Sequence, residues 1–304
     1  MMTDAKNINQ DAAVDFYSLK LSDKQFRHIS NTVYKVSGID LHQGKEELVK
    51  ARLLKRLRHL RLANFERYLK YLEQDQSGLE VQSMVDVLTT NKTHFFRESE
   101  HLDFLKHEIV PKLDRERIRI WSAGCSSGEE PYSIAITLME ALPDIEKTDV
   151  KILATDISER MIAKAREGVY EQETLKTLPP QLYHKYFRIL PSSQSRRYQT
   201  IERVQARVSF AMLNLMEEWP MAGPFDVIFC RNVMIYFDKP TQERLVRRFW
   251  PLIKEGGYLM VGHSESLTFL SHEYRYVRPA VYQKLKGYAK NIKRPARTVQ
   301  EVAS

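Results

Sequence analysis

The chain has few cysteines and no long apolar run. Only Cys125 and Cys230 occur among its 304 residues, which excludes a disulfide scaffold and a multi-cysteine zinc site and suits a reducing compartment. No apolar stretch approaches the ~18–20 residues that cross a bilayer, and the polar N-terminus does not resemble a secretory signal. These absences predict a soluble, cytoplasmic protein without membrane insertion.

Acidic residues are outnumbered, since 47 Lys and Arg against 39 Asp and Glu give a net charge of +8. Residues 15–90 lack strand-like alternation and repeat apolar residues at helical spacing, which predicts an all-helical N-terminal domain. A capping box of Ser22 and Gln25 starts its first helix, and Gly38 ends it. A second helix is predicted at 45–62. Its cationic face consists of Arg52, Lys55, Arg56 and His59.

The pattern changes after residue 91, where short apolar strands alternate with helices. This alternation predicts βαβ units and a mostly parallel sheet, and hence an α/β domain over residues 91–285. Short extended segments among basic residues at 186–213 predict a small inserted antiparallel β-subdomain. Residues 286–304 are polar, basic and aperiodic, which predicts a disordered tail.

A glycine-rich turn links the first strand of this domain to its first helix. Gly124 and Gly128 permit close backbone approach to a ligand, and Asp156 at the end of the next strand can hold ribose hydroxyls. Glu129 and Glu130 follow the turn directly and would repel a pyrophosphate. A cofactor without phosphate but with positive charge fits better, and S-adenosylmethionine has both properties. The alternative is that both glutamates merely suit the positive end of the helix.

Two further polar segments lie where ligands are expected. Residues 91–98 join the two domains, and residues 230–237 follow the carboxyl end of a strand. The first segment could be a linker that two phenylalanines anchor, and most apolar residues of the second are expected in the core. Asn232 and Tyr236 are harder to explain as core residues.

Five segments, in order over most of the chain, resemble the motifs of the bacterial chemotaxis-receptor methyltransferases, the CheR family. They are 91–98 (NKTHFFRE), 121–133 (WSAGCSSGEEPYS), 154–157 (ATDI), 229–237 (FCRNVMIYF) and 262–265 (GHSE). The resemblance implies a helical domain, a Rossmann-like methyltransferase domain and an inserted β-subdomain. It also implies methyl transfer from S-adenosylmethionine to glutamates of the cytoplasmic helical domain of chemoreceptors. We expect no metal and a monomer.

The same resemblance implies roles for individual residues. Arg97 and Tyr236 would be catalytic, with Tyr236 facing the incoming carboxylate. Asp156 would hold the ribose and Glu130 the amino acid end of the cofactor, with Glu129 as the alternative to Glu130. Asn214 and Leu215 would lie near the adenine, and Arg231 and Asn232 beside the transferred methyl group. The implied cofactor-binding set is Asn91, Thr93, Arg97, Gly124, Glu130, Asp156, Asn214, Leu215, Arg231 and Asn232.

The chemistry of methyl transfer agrees with this set. A glutamate has an ordinary pKa of about 4.3, so its carboxylate is already ionised at pH 7 and attack on a sulfonium methyl needs no general base. The enzyme must align the reacting atoms and partly desolvate the carboxylate. Arg97 would therefore orient the carboxylate without removing a proton. Cys125 departs from the family motif and is expected to be a packed thiol.

The cationic face has several possible partners. An acidic receptor helix could dock on it, although a charged helix face can also be merely solvated. A pI of about 9.3 also suits nucleic acid, but the Asn/Asp-Pro-Pro-aromatic site of base methyltransferases is missing at Asn232. The acidic pair argues against a nicotinamide dehydrogenase, and the intact site residues argue against a non-catalytic adaptor.

Overall fold

The computed structural model describes residues 18–191 and 196–287. The helices there are α1 (Asp23–Ser37), α2 (Glu46–His59), α3 (Phe65–Gln74), α4 (Leu79–Leu88), α5 (Ser99–Phe104), α6 (Glu129–Ala141), α7 (Glu159–Glu167), α8 (Pro180–Tyr186), α9 (Glu202–Gln205) and α10 (Lys239–Phe249). The strands are β1 (Arg117–Ala123), β2 (Asp149–Asp156), β3 (Val169–Glu171), β4 (Phe187–Leu190), β5 (Arg197–Thr200), β6 (Val208–Met212), β7 (Phe225–Cys230), β8 (Ile253–Val261), β9 (Arg275–Arg278) and β10 (Val281–Gln283).

The predicted all-helical N-terminal domain is confirmed by helices α1 to α4. The capping box of Ser22 and Gln25 starts α1, and Gly38 ends it in the left-handed conformation, where glycine has no steric penalty. The apolar face of α1 is buried, and Phe26 on this face is only 5 % exposed. Residues 15–17 of the predicted domain lie outside the described residues.

The second domain contains a seven-stranded sheet in the order β6-β2-β1-β7-β8-β10-β9. Its first five strands are parallel, and β10 pairs antiparallel with both of its neighbours, β8 and β9. This confirms the predicted α/β class. Successive strand residues point to opposite faces, so Ile120 packs in the core with α6 while Trp121 packs with the N-terminal helices and α10.

The chain order reverses between β1 and β7. From β1 the chain continues outward to β2 and β6, and it then returns to β7 and β8 on the other side. Ligands of open parallel sheets bind at such a switch point, beyond the carboxyl ends of the strands. The N-terminal helices cover one face of the sheet, so the switch point lies at the junction of the two domains.

The small antiparallel sheet is present, but its predicted bounds need correction. It has the order β3-β5-β4 and therefore begins at Val169, before residue 186. Strand β6, which the sequence placed in this insertion, pairs in parallel with β2 in the central sheet. Alternating side chains show that a segment is extended but do not identify its partner strand. Residues 192–195, and most of the tail predicted at 286–304, lie outside the described residues.

Two of the four residues in the predicted cationic face turn inward. Arg52 donates to the backbone oxygens of Leu88 and Thr89 and, at 2.8 Å, to Thr90 Oγ1. Arg56 pairs with the buried carboxylate of Glu80. Lys55 and His59 are exposed. The helix itself ends at His59 rather than near residue 62.

The Arg56–Glu80 pair leads to a stability prediction. Glu80 is only 4 % exposed and also accepts a hydrogen bond from the Tyr68 hydroxyl. Arg56→Ala leaves this buried carboxylate without its cation, which should lower the free energy of unfolding by about 3–5 kcal/mol. Urea unfolding measures the loss. The matched change Lys55→Ala, on the exposed face of the same helix, should alter stability by less than about 0.5 kcal/mol.

Within residues 18–191 and 196–287, none of the helices combines the length and apolar character that a membrane span requires.

Candidate active site

A cavity of about 390 Å³ opens at the junction of the two domains, at the carboxyl ends of β1, β2 and β7. Ligand pockets have volumes of ~300–1,000 Å³. Every residue that the resemblance assigned to cofactor binding or catalysis lines this cavity, and so does Arg52. Lys55, Arg56 and His59 are not among its lining residues.

The N-terminal domain supplies one wall of the cavity, and the sequence reasoning missed this wall. Asp40, His42, Lys45 and Leu48 line it from the connection between α1 and α2 and from the start of α2. Nothing in the local sequence marks them, because they come to the site only through the packing of the helical domain on the sheet.

The glycine turn brings the backbone close to the cavity. Gly124 has a φ of +90°, and a Cβ there would lie 2.3 Å from a methyl of Val233, so a larger residue cannot be accommodated. Ser126 donates its backbone N–H to Asp156 at 2.8 Å and its hydroxyl to the carbonyl of Asn91 at 3.0 Å. Cys125 lies within this turn and is buried, which raises the pKa of its thiol. It is a packed residue.

Asp156 ends β2 with both carboxylate oxygens engaged by backbone donors. Oδ2 accepts from the Ser126 N–H, and Oδ1 accepts from the Ser158 N–H at 2.9 Å. Burial raises the pKa of Asp156, although these two hydrogen bonds oppose the shift. These two donors hold the carboxylate in one orientation. Each oxygen keeps a second lone pair, so the carboxylate can still accept hydrogen bonds from the hydroxyls of a ligand.

Arg231 lies between two carboxylates at the base of the cavity, with its side chain 2 % exposed. Its Nη2 is 3.1 Å from Oε2 of Glu98, and its Nη1 is 3.3 Å from Oε2 of Glu130. Glu130 also accepts from Ser122 Oγ at 2.7 Å. Glu98 in turn accepts from the amide of Asn232 at 3.3 Å. The five polar side chains therefore form one connected network.

The two glutamates after the glycine turn differ in position. Glu130 lines the cavity, whereas Glu129 is buried elsewhere and accepts a hydrogen bond from Ser127 Oγ at 2.7 Å. Burial raises the pKa of both carboxyl groups, and the charge of Arg231 opposes the shift at Glu130. Of the two, only Glu130 is placed to meet a ligand in the cavity.

Arg97 and Tyr236 line the cavity, and each side chain contacts one backbone carbonyl of the described chain. Arg97 Nη1 donates to the carbonyl of Lys92 at 2.9 Å. The Tyr236 hydroxyl is 3.5 Å from the carbonyl of Thr90, which is a weak contact. Both side chains are only partly buried, so their polar ends are available to an incoming substrate.

Three potential metal ligands lie together behind this network. Ligand atoms of Glu98, His101 and His263 are within 4.8 Å of one another, and neither ring nitrogen of His101 has a hydrogen-bond partner in the described part of the chain. Burial lowers the pKa of His101 to about 4, so its ring is neutral at pH 7. Glu98 is, however, already paired with Arg231, and a cation here would be repelled by that guanidinium. The cluster is better described as a neutral histidine packed against an ion pair.

The chain matches two protein-family models. "CheR methyltransferase, all-alpha domain" matches residues 24–89, and "CheR methyltransferase, SAM binding domain" matches residues 91–282. The chemotaxis protein methyltransferase of Klebsiella aerogenes is 44 % identical over 265 residues, which are 87 % of this chain and 90 % of that protein. That of Salmonella typhimurium is 43 % identical over 272 residues, 89 % of this chain and 93 % of that protein.

The fold, the cavity at the switch point and these matches define the class of protein: an S-adenosylmethionine-dependent methyltransferase of chemotaxis. The chain belongs to the CheR methyltransferase family, as its motifs had predicted.

Proposed function

We propose that the protein transfers a methyl group from S-adenosylmethionine to glutamate carboxylates on the cytoplasmic helical domain of chemoreceptors. The products are glutamate methyl esters and S-adenosylhomocysteine, and the reaction serves sensory adaptation. The observation that carries the proposal is a single cavity that holds fixed carboxylates at its base and exposes Arg97 and Tyr236 to a substrate.

The cofactor would be held by charge and by hydrogen bonds. Asp156, which its backbone donors fix in orientation, would accept the ribose hydroxyls. Glu130 would pair with the ammonium group of the cofactor, with Asn91 and Thr93 nearby. Asn214 would lie beside the adenine, as the resemblance implies, and its amide is held in place by donation to the carbonyl of Val36 at 2.7 Å. Leu215, Arg231 and Asn232 complete the proposed binding set, and no metal takes part.

The reaction is a direct displacement. A glutamate carboxylate oxygen attacks the methyl carbon, a C–O bond forms, the S–CH₃ bond breaks, and its electron pair returns to sulfur. No proton is transferred, because the carboxylate is already ionised at pH 7. Arg97 would orient the carboxylate, and the Tyr236 hydroxyl would donate a hydrogen bond to its second oxygen. The contribution of the protein is alignment and exclusion of water.

We also propose that α2 docks the acidic receptor helix, with roles divided along the helix. Lys55 and His59 are exposed and would meet the substrate directly. The other two residues of the predicted docking face, Arg52 and Arg56, would hold α2 in position and not contact the substrate. Arg52 donates to residues 88–90 beside the cavity, and Arg56 pairs with Glu80.

Docking on Lys55 predicts a change in KM and not in kcat. Lys55→Ala should raise KM for a receptor fragment by about two- to fivefold, which is the effect of one exposed charge pair of up to ~1 kcal/mol. The increase should shrink at high salt. Lys147→Ala, which removes an exposed lysine from the segment preceding β2, is the control and should leave KM unchanged. Equal effects of the two changes would show that α2 does not dock the substrate.

Calorimetric titration with S-adenosylmethionine and S-adenosylhomocysteine, with NAD as the control ligand, tests the cofactor. Micromolar binding of the adenosyl ligands and none of NAD is expected. Transfer of labelled methyl to a receptor fragment, and alkaline release of the label as methanol, then tests for glutamate esters. Binding without transfer would reject the acceptor while retaining the cofactor. If neither adenosyl ligand binds, the result would favour a non-catalytic adaptor.

The pKa of Glu130 predicts how cofactor affinity changes with pH. Burial raises this pKa above its ordinary value, so as the pH falls the Glu130 carboxylate is neutralised at a higher pH than the carboxylate of an exposed glutamate. Affinity should be constant near neutral pH and should fall as the pH drops through the raised pKa. Binding of the cofactor's ammonium group lowers the pKa of Glu130, so cofactor binding releases protons from this carboxyl group at pH values near its raised pKa. Titration in two buffers of different ionisation enthalpy measures the release, and Glu130→Gln should abolish it.

A further inference from the structure

The motif at 262–265 has no role in the proposed chemistry, yet its last residue lies directly behind the site. Glu265 is 7 % exposed, and it follows the end of β8. It is not among the residues that line the cavity. Its side chain turns instead toward the backbone of the segment that carries Asn232 and Tyr236.

The Glu265 carboxylate accepts three backbone hydrogen bonds. Oε2 accepts from the Asn232 N–H at 2.8 Å and from the Gly262 N–H, and Oε1 accepts from the Ile235 N–H at 3.1 Å. Hydrogen bonds to a charged acceptor are stronger than neutral ones. One carboxylate therefore joins the two ends of the 232–235 turn to the end of β8.

Asn232 takes a left-handed backbone conformation within this turn. Its φ is +59°, a region that asparagine adopts more readily than most residues with a Cβ, because its short polar side chain can form local hydrogen bonds. Gly262 leaves the space for this arrangement, since a Cβ there would lie 2.5 Å from Asn232 Nδ2 and 2.8 Å from Glu265 Oε2.

The N-terminal domain holds the other side of the same segment. The Asp40 N–H donates to the carbonyl of Tyr236 at 2.8 Å, and Ile39 forms a bridge with Phe237. These contacts act on the end of the segment at Tyr236, whereas Glu265 acts on its beginning. Without Glu265, the N–H groups of Asn232 and Ile235 would lose their hydrogen-bond acceptor.

We propose that Glu265 is a positioning residue for methyl transfer, which acts by fixing the turn that presents Asn232 and Tyr236 to the reacting groups. This inference rests on the proposed function, because it assigns those two residues to the reaction. Glu265 itself meets neither the cofactor nor the substrate.

Glu265→Gln is the principal test, because it keeps the shape of the side chain but leaves one oxygen for three donors. We expect kcat for methylation of a receptor fragment to fall by about 10- to 100-fold, as a misplacement of reacting groups by about 1 Å costs. KM for the fragment should change by less than about threefold, and Kd for S-adenosylhomocysteine should rise by less than kcat falls, because Asn232 is one of several residues in the proposed cofactor-binding set. Glu273→Gln, the same change at an exposed residue, is the matched control and should have no effect.

A double-mutant cycle with Tyr236→Phe separates positioning from general destabilisation. If Glu265 acts through the turn, the fold-loss of kcat in the double variant should be smaller than the product of the fold-losses in the two single variants. Independent effects would multiply. Unchanged kcat in Glu265→Gln, or a multiplicative double variant, would overturn the proposal. Should Glu265→Gln fail to fold, Glu265→Asp keeps the charge on a shorter side chain and is expected to lower kcat in the same way.

Hydrogen exchange gives a readout that does not depend on activity. The amides of Asn232 and Ile235 should exchange faster in Glu265→Gln, while those of the central sheet keep their protection. If the wild-type protein does not methylate the receptor fragment, the proposed function fails and the exchange result still tests the positioning of the turn. Unchanged exchange at both amides would contradict the role of Glu265.

Discussion

Arg97→Ala should lower kcat for receptor methylation by about 100-fold, the largest effect that we expect on turnover. Arg97 lines the cavity, and its Nη1 donates one hydrogen bond to the Lys92 carbonyl, so the other N–H groups of its guanidinium remain for a two-point contact with a carboxylate. Without it, the substrate glutamate is no longer aligned with the S–CH₃ bond, and a misalignment of about 1 Å can cost about 100-fold. Single-turnover transfer of labelled methyl measures the loss directly.

Two further variants give a smaller expected effect and a control for comparison with Arg97→Ala. Tyr236→Phe removes one hydroxyl donor and should cost about tenfold or less, since one neutral hydrogen bond contributes about 0.5–1.5 kcal/mol. Arg115→Ala removes an exposed arginine just before β1, at the opposite end of the strand from the cavity, and should leave kcat unchanged. Near-normal turnover of Arg97→Ala would remove Arg97 from the mechanism.

Asp156→Ala should weaken binding of S-adenosylhomocysteine by about 100-fold or more. The change removes the acceptor proposed for the ribose hydroxyls, and hydrogen bonds to a charged group contribute about 1.5–3 kcal/mol each. It also frees the backbone N–H groups of Ser126 and Ser158, which fix the glycine turn and the start of α7. Calorimetric titration measures the loss of affinity.

The control for this change lies on the same strand. Asp149 begins β2 and Asp156 ends it, and Asp149 is half-exposed and paired with Arg119. Asp149→Ala should therefore leave the affinity for S-adenosylhomocysteine within about twofold of the wild-type value. If both variants bound the ligand equally well, Asp156 would have no part in the cofactor site.

Local patterns predicted much of the fold, and the family resemblance implied the composition of the candidate site. Ser22 and Gly38 mark the ends of α1 because caps and left-handed glycines act within one turn of the chain. The glycine turn and Asp156 could be placed together because the carboxyl ends of neighbouring parallel strands meet at one edge of the sheet. Every residue of the expected cofactor set does line one cavity.

The direction of charged side chains could not be predicted in the same way. Arg52 and Lys55 are close on one helix, but Arg52 turns toward the carbonyls of residues 88–90 and Lys55 faces outward. Helical spacing gives the angle of a residue around its own axis, and the packing of a second element decides which angles are buried. Helical spacing therefore predicts Arg56 in the docking face, whereas the packing of α4 pairs it with Glu80.

By itself, the sequence determined most of the elements and the α/β class, because these depend on short-range periodicity and caps, and its motifs carried the resemblance that implied the site residues. The tertiary structure alone decided that β6 belongs to the central sheet and that Asp40 and Glu265 hold the two sides of one turn. Those contacts join residues that are distant along the chain, and their free energy depends on burial and geometry that exist only after the two domains have packed together.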